Sequence, residues 1–199
     1  MNTIKIALLG NQGSGKTTLA RAINQHYGAE ILSFASPIKA MASKLLYSLT
    51  GGRTPQEHIL EDILTGVIPK DRAFALDGVQ FKEGELREIL QFLGQGLRDI
   101  HGENTWVDIL LRYARSHLLF NLVVDDTRYA NEIVQLHEEG FRIIFIDNGV
   151  DEIGGHSSER CKTQLKQSGV EPLLHLNYAD GEASNTQKVI SACKELIGR

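Results

Sequence analysis

Cysteine is scarce in this chain: Cys161 and Cys193 are the only two, and they lack metal-ligand spacing. Two thiols so placed argue against a disulfide framework or a cysteine metal site, so the expectation is a reduced, cytoplasmic protein. Excess positive charge is also missing. The 21 basic side chains are outnumbered by 25 acidic ones, leaving a net charge of -4 and no bulk basic field to attract a nucleic-acid polymer. No apolar run approaches the roughly 20 residues that span a bilayer, so no membrane partner is expected. The opening MNTIKIALLG has no signal-peptide cleavage region and enters the fold directly. Internal repeats and low-complexity tracts are absent too. A composition of 42% hydrophobic and 23% charged residues excludes the disordered and fibrous classes.

What is present is an alternation of apolar strands and helical patterns. Strands are expected at 4–9, 30–34, 121–125, 141–147 and 172–177. Helices are expected at 16–27, from the first turn at Pro37 to about Leu49, and at 84–98, 105–118, 129–139 and 184–197. The segment 50–84, with glycines, two prolines and mixed charge, reads as short helices and loops in a lobe outside the sheet. Five strands alternating with helices define an α/β fold with a mostly parallel five-stranded sheet and right-handed crossovers covering both faces. Ligands bind such sheets at the carboxyl ends of the strands, here the loops after residues 9, 34, 125, 147 and 177.

The first of those loops carries a motif. Gly10-Asn11-Gln12-Gly13-Ser14-Gly15-Lys16-Thr17 fits G-x-x-x-x-G-K-[ST], after a strand and at the start of a helix, which is the context the pattern requires. Four specified positions match by chance in about 1% of chains this long at ordinary residue usage. Glycines let the backbone curl so that its amides, Thr18 included, converge on phosphate oxygens at a helix N-terminus. Lys16 reaches the β- and γ-phosphates in this reading, and the Thr17 hydroxyl takes a magnesium position, so ATP and Mg2+ are the expected cofactors. The chain has no N-K-x-D, and no D-x-x-G follows the 121–125 strand, so a GTPase switch is disfavoured. Motor ATPases are larger, and a small kinase fits the chain better.

A second set of residues suits an acceptor. Phe34 and Lys39 lie in SFASPIK, and a cation in the first turn of a helix opposes the helix dipole unless an anion is near. In the 84–98 helix Arg87, Gln91, Gly94 and Arg98 share one stripe, opposite Leu86, Ile89, Leu90, Leu93 and Leu97. Arginine suits a phosphate and an amide suits a base edge. Gly94 costs roughly 1 kcal/mol against alanine and clears space for close approach. Trp106, the single tryptophan, is a candidate to stack on a base, against the ordinary expectation that it fills core. The 121–125 strand runs into Asp125-Asp126-Thr127-Arg128, where a carboxylate would stand beside the phosphate loop and Arg128 would reach the transferring phosphate. Asn131 and Glu132 have capping or pairing roles as alternatives. The polar, glycine-flanked stretch 149–169, with His156, Ser157, Ser158, Glu159, Arg160, Lys162 and Lys166, reads as a lid that excludes water.

GNQGSGKT, SFASPIK, REILQFLGQGLR with Trp106, VVDDTRYANE, HSSE and the strand into Asn177, in that order, resemble the deoxynucleoside monophosphate kinases of tailed bacteriophages and their bacterial relatives. The likeness spans nearly the whole chain. It implies a P-loop kinase fold with a monophosphate-binding lobe at about 36–105 and a lid at about 149–170. It also implies ATP-dependent phosphorylation of a small-molecule deoxynucleoside monophosphate, in the host cytoplasm for a phage-encoded protein. It favours Asp126 over Asp125 as the magnesium-side carboxylate, two residues before Arg128. Lys16, Asp126, Arg128 and Arg160 are then the catalytic set, and a homodimer is the protein assembly in view. The chain departs from the family at Ser36, where an acidic residue is frequent. The 50–83 segment carries over no base preference. Two other classes compete: another small-molecule P-loop kinase, of the dephospho-coenzyme A or gluconate type, and a non-catalytic nucleotide-binding switch.

Overall fold

A computed structural model describes residues 3–149 and 160–198. The chain divides into two compact units, one of residues 1–34 and 106–199, the other Ala35–Thr105.

The first unit is built on five parallel strands in the order β2-β5-β1-β6-β7. They are β1 (Lys5–Gly10), β2 (Glu30–Leu32), β5 (Leu122–Thr127), β6 (Arg142–Asp147) and β7 (Leu174–Asn177). The parallel five-stranded sheet expected from the sequence is therefore what forms. β1 lies at the centre, and its IALLG run is buried throughout because helices cover both sides. β1 pairs with β5 from Lys5↔Leu122 and with β6 from Ile6↔Arg142. Helix α1 (Lys16–Tyr27) connects β1 to β2 in one direction along the sheet. The connections through α5 (Thr105–Ser116), α6 (Ala130–Glu138) and α7 (Cys161–Ser168) run in the other. Right-handed crossovers thus put α1 on one face and α5, α6 and α7 on the opposite one. The final helix α8 (Glu182–Ile197) joins α1, and Val189 and Cys193 pack with Ile6, Leu8, Leu19 and Ile23.

Three boundaries differ from the sequence reading. β5 continues to Thr127, so both aspartates lie within the strand. The helix containing Pro37, α2 (Ala35–Leu49), begins two residues before the proline, so Lys39 is its fifth residue rather than part of its first turn. Part of the expected lid is the helix α7, which packs against α6.

The second unit holds α2, α3 (Gln56–Thr65), a hairpin of β3 (Phe74–Leu76) and β4 (Val79–Phe81), and α4 (Glu85–His101). The sequence reading had no strands here. The hairpin turns on Asp77-Gly78, both at positive φ (53° and 88°), the geometry that Asp-Gly favours in two-residue hairpins. Asp77 also accepts from the Thr54 amide at 2.8 Å and the Thr54 hydroxyl at 2.7 Å. Ala42, Leu46, Ile59, Ile63, Leu76, Phe81 and Leu86 form this unit's own core. Among the described residues, no helix is long and apolar enough to cross a membrane.

Candidate phosphate-binding site

The site forms where β1 ends and α1 begins. Gly10 is enclosed: a Cβ there would stand 2.5 Å from Ser14 Oγ and 2.7 Å from the carbonyl oxygen of Ile146. Gly13 and Gly15 adopt the left-handed conformation, at φ 76° and 87°, which an L side chain resists. The turn ends with Gly15 at the N-cap of α1, so the first-turn amides, which have no intrahelical acceptor, gather at the loop. Lys16, only 9% exposed, folds back over this turn. Its Nζ donates to the carbonyl oxygens of Gly10 at 2.6 Å and Asn11 at 2.8 Å, and to Ser14 Oγ at 3.3 Å. Burial first and the Arg128 charge second hold the Lys16 ammonium below its ordinary pKa; Cys161, Asp126 and Asp125 act in the opposite direction. Thr17 is exposed in the first turn of α1, with Thr18 half-buried beside it.

Two further segments fasten to the loop through residues the motif leaves unspecified. The Cys161 amide, at the start of α7, donates to Asn11 Oδ1 at 3.3 Å. Asn148, just past β6, donates its side-chain amide to the Gln12 carbonyl at 3.2 Å. Gln164 Oε1 in α7 accepts from the Ala130 amide at 2.8 Å, tying α7 to the start of α6. Arg160, at the N-cap of α7, is thus held on a docked helix, and Lys162 pairs with Asp147 at 3.7 Å. Of the stretch expected as a lid, Cys161–Ser168 is a helix bonded to the loop. His156, Ser157, Ser158 and Glu159 lie outside the described residues.

The β5 end lies beside the loop, with Thr127 in register with Leu9. Asp126 accepts from Ser33 Oγ at 2.7 Å and from the Phe34 amide at 2.8 Å, one bond to each carboxylate oxygen. The register of β1 with β5 shifts between Ala7↔Val124 and Leu9↔Thr127, so the strand is irregular where Asp125 and Asp126 lie. Glu132, 2% exposed, accepts from the Arg128 amide at 2.8 Å and the Tyr129 amide at 3.0 Å. Of the two alternatives for Glu132, capping is therefore observed, and it fixes the backbone that carries Arg128. Thr17 and the two aspartates are hard oxygen donors of the kind magnesium takes. No cluster of three or more His, Cys, Asp or Glu side chains occurs among the described residues, so the remaining ligands would come from nucleotide and water.

The sequence reading missed two participants. Ser33 holds Asp126 across 93 residues of sequence. Tyr178, on a 3-10 turn after β7, is 54% exposed, and its ring edge lies 4.0 Å from where a Gly15 Cβ would stand. An exposed aromatic edge against the loop was signalled only by its place at the end of the last strand.

The proposed acceptor residues lie mainly in the second unit. Arg87 Nε bonds Asp71 Oδ1 at 2.5 Å, and this keeps the Asp71 carboxyl below its usual pKa. Gln91 is exposed, while Lys39 and Arg98 are half-buried. Gly94 is buried, and its missing Cβ would lie 3.4 Å from Ile38 Cδ1 of α2, so the gap admits a packed helix rather than a ligand. Two expectations in the first unit are corrected. Trp106 is 1% exposed and fills core, leaving no ring face for a base. Phe34 is 4% exposed and contributes its amide to Asp126 rather than its ring to a substrate.

A family model described as ATPase family associated with various cellular activities (AAA) matches residues 6–196. The chain belongs to that family. It is also similar to a protein of Acanthamoeba polyphaga mimivirus named "Putative deoxynucleotide monophosphate kinase", 28% identical over 161 residues that cover 78% of this chain and 80% of that protein. The sequence reading preferred a small kinase to a motor ATPase; the family match is to ATPases, and the viral relative bears a kinase name. Site and family together define an ATP-binding P-loop protein that acts on nucleotide phosphates as an ATPase or a phosphotransferase.

Proposed function

We propose that the protein transfers the γ-phosphoryl group of ATP to a deoxynucleoside monophosphate, giving ADP and a deoxynucleoside diphosphate. The observation that supports phosphoryl transfer is a second cation at the phosphate loop: Arg128 follows Thr127, which is in register with Leu9 just before the loop, and its charge lowers the Lys16 pKa. Arg128, fixed by Glu132 through its backbone, suits charge developing between donor and acceptor. The name of the mimivirus relative is in accord with this.

The chemistry asks little of the protein beyond placement. An acceptor phosphomonoester has a second pKa near 6 and is largely dianionic at neutral pH, so no general base is required. Catalysis reduces to bringing two polyanions together and offsetting their repulsion. Lys16 holds the β- and γ-phosphates, and the loop amides hold the chain behind them. Arg160 serves from the N-terminus of α7, and Tyr178 stands beside Gly15 of the loop. Thr17 and Asp126 would hold magnesium or its waters. Magnesium held there would supply positive charge to offset that of the phosphates. Lys39, Arg87, Gln91 and Arg98 are assigned to the acceptor.

The family match favours a second reading, hydrolysis of ATP without an acceptor. An ADP-release assay over deoxynucleoside monophosphates, ribonucleoside monophosphates and hydroxyl acceptors, with product chromatography, separates the two. Acceptor-dependent ADP release with a matching diphosphate is expected. ADP release at an unchanged rate with every acceptor omitted would leave the ATPase reading in its place.

A further inference from the structure

We infer that Ser33 is a positioning residue for the phosphoryl-transfer centre, acting through Asp126; this rests on the reading just proposed. β2 and β5 run parallel with Leu32 opposite Val124, so the residues just beyond each strand's paired region come side by side. There the Ser33 hydroxyl donates to Asp126 Oδ2 at 2.7 Å and the Phe34 amide donates to Oδ1 at 2.8 Å. One donor is main chain, in the turn between β2 and α2, and the other is a side chain.

Two bonds, one per oxygen, restrain both side-chain torsions of Asp126. A carboxylate offers about four lone-pair positions, two more than these bonds use. Asp126 is therefore presented in a fixed orientation beside the loop, where its charge acts on Lys16. Carboxylates that serve a metal are commonly held in this way, and losing the outer hydrogen bond costs about 10–100-fold in metal affinity or activity. Ser33 and Phe34 are also the last residues of the first unit before the chain enters the second at Ala35. The strand end that holds Asp126 is thus also the exit from the sheet-bearing unit.

The test uses the full chain and does not depend on turnover. Protein with saturating ADP is titrated with Mg2+, and the magnesium-dependent rise in Tm gives a midpoint concentration. Ser33→Ala is expected to raise that midpoint about tenfold, with the ADP-induced rise in magnesium-free buffer unchanged. Ser33→Thr, which keeps the hydroxyl, is expected to restore it. In an Asp126→Asn background, Ser33→Ala is expected to add nothing, because the group it positions is gone. A wild-type midpoint in Ser33→Ala would overturn the inference. So would an equal shift from Ser33→Ala with Asp126 already replaced, or a failure of Ser33→Thr to restore the midpoint. Absence of any phosphorylated deoxynucleoside monophosphate would defeat the proposed reaction and leave the magnesium midpoints readable.

Discussion

Lys16 Nζ donates to the carbonyl oxygen of Gly10 at 2.6 Å, so this buried cation closes the turn that carries it. The ammonium is satisfied by three oxygens of its own loop. Lys16→Ala is expected to lower turnover by orders of magnitude while far-UV circular dichroism stays native.

The depressed pKa of Lys16 gives this a pH signature. Its folded-state value lies below the ordinary 10.5, so the buried ammonium disfavours folding at pH below that lowered value. The penalty fades as pH rises through the window up to 10.5. Nucleotide binding has the opposite sign, because the phosphates need the ammonium. ADP affinity is expected to fall as pH climbs past the lowered pKa, and Lys16→Arg, which stays charged, should flatten that limb. Titrations of ADP by intrinsic fluorescence from pH 7 upward would detect it; identical alkaline limbs in both proteins would refute the assignment.

Gly10 and Gly13 should respond differently to alanine. At Gly10 a methyl would meet the Ile146 carbonyl, which cannot rotate away, so a loss of about 1–3 kcal/mol is expected. At Gly13 nothing stands within 4 Å, and the cost is that of a left-handed alanine, about 1 kcal/mol. Urea denaturation of the two variants should rank Gly10→Ala as the less stable.

Trp106 should behave as core. Trp106→Ala is expected to cost about 3–5 kcal/mol in chemical denaturation. Trp106→Phe should lower Tm modestly and leave the KM for the acceptor unchanged. A raised KM with native stability would return the ring to the substrate.

Burial raises the Cys193 thiol to a pKa of about 11. Folding therefore favours the neutral thiol, and the stability it contributes is lost as pH rises from about 9 toward 11. Native protein at pH 9 should resist iodoacetamide at Cys193, and protein in urea should be alkylated there quickly, as read by peptide mass spectrometry.

The sheet was legible because Ile4–Leu9, Leu122–Val124 and Ile143–Ile146 are apolar runs whose length suits a strand buried on both faces. The hairpin at Phe74–Phe81 escaped because three-residue strands show no periodicity, even though Asp77-Gly78 marked the turn. α7 escaped for another reason: Cys161 is its one fully buried side chain, and its place is held by polar bonds to Asn11 and Ala130. The phosphate loop could be read whole because its eight residues are contiguous. The Ser33–Asp126 and Gly15–Tyr178 neighbours are made by the sheet, which brings distant strand ends together, and spacing along the chain says nothing about either.

Asn11 and Gln12 occupy positions at which any residue satisfies the motif, yet their oxygens receive Cys161 and Asn148. A loop transplanted from another nucleotide-binding protein could thus bring a perfect signature and still lose a fitting. A carbonyl at position 12 survives any replacement, whereas the carboxamide at position 11 does not. The motif marks the loop, and one residue the motif ignores supplies the bond that joins the loop to α7.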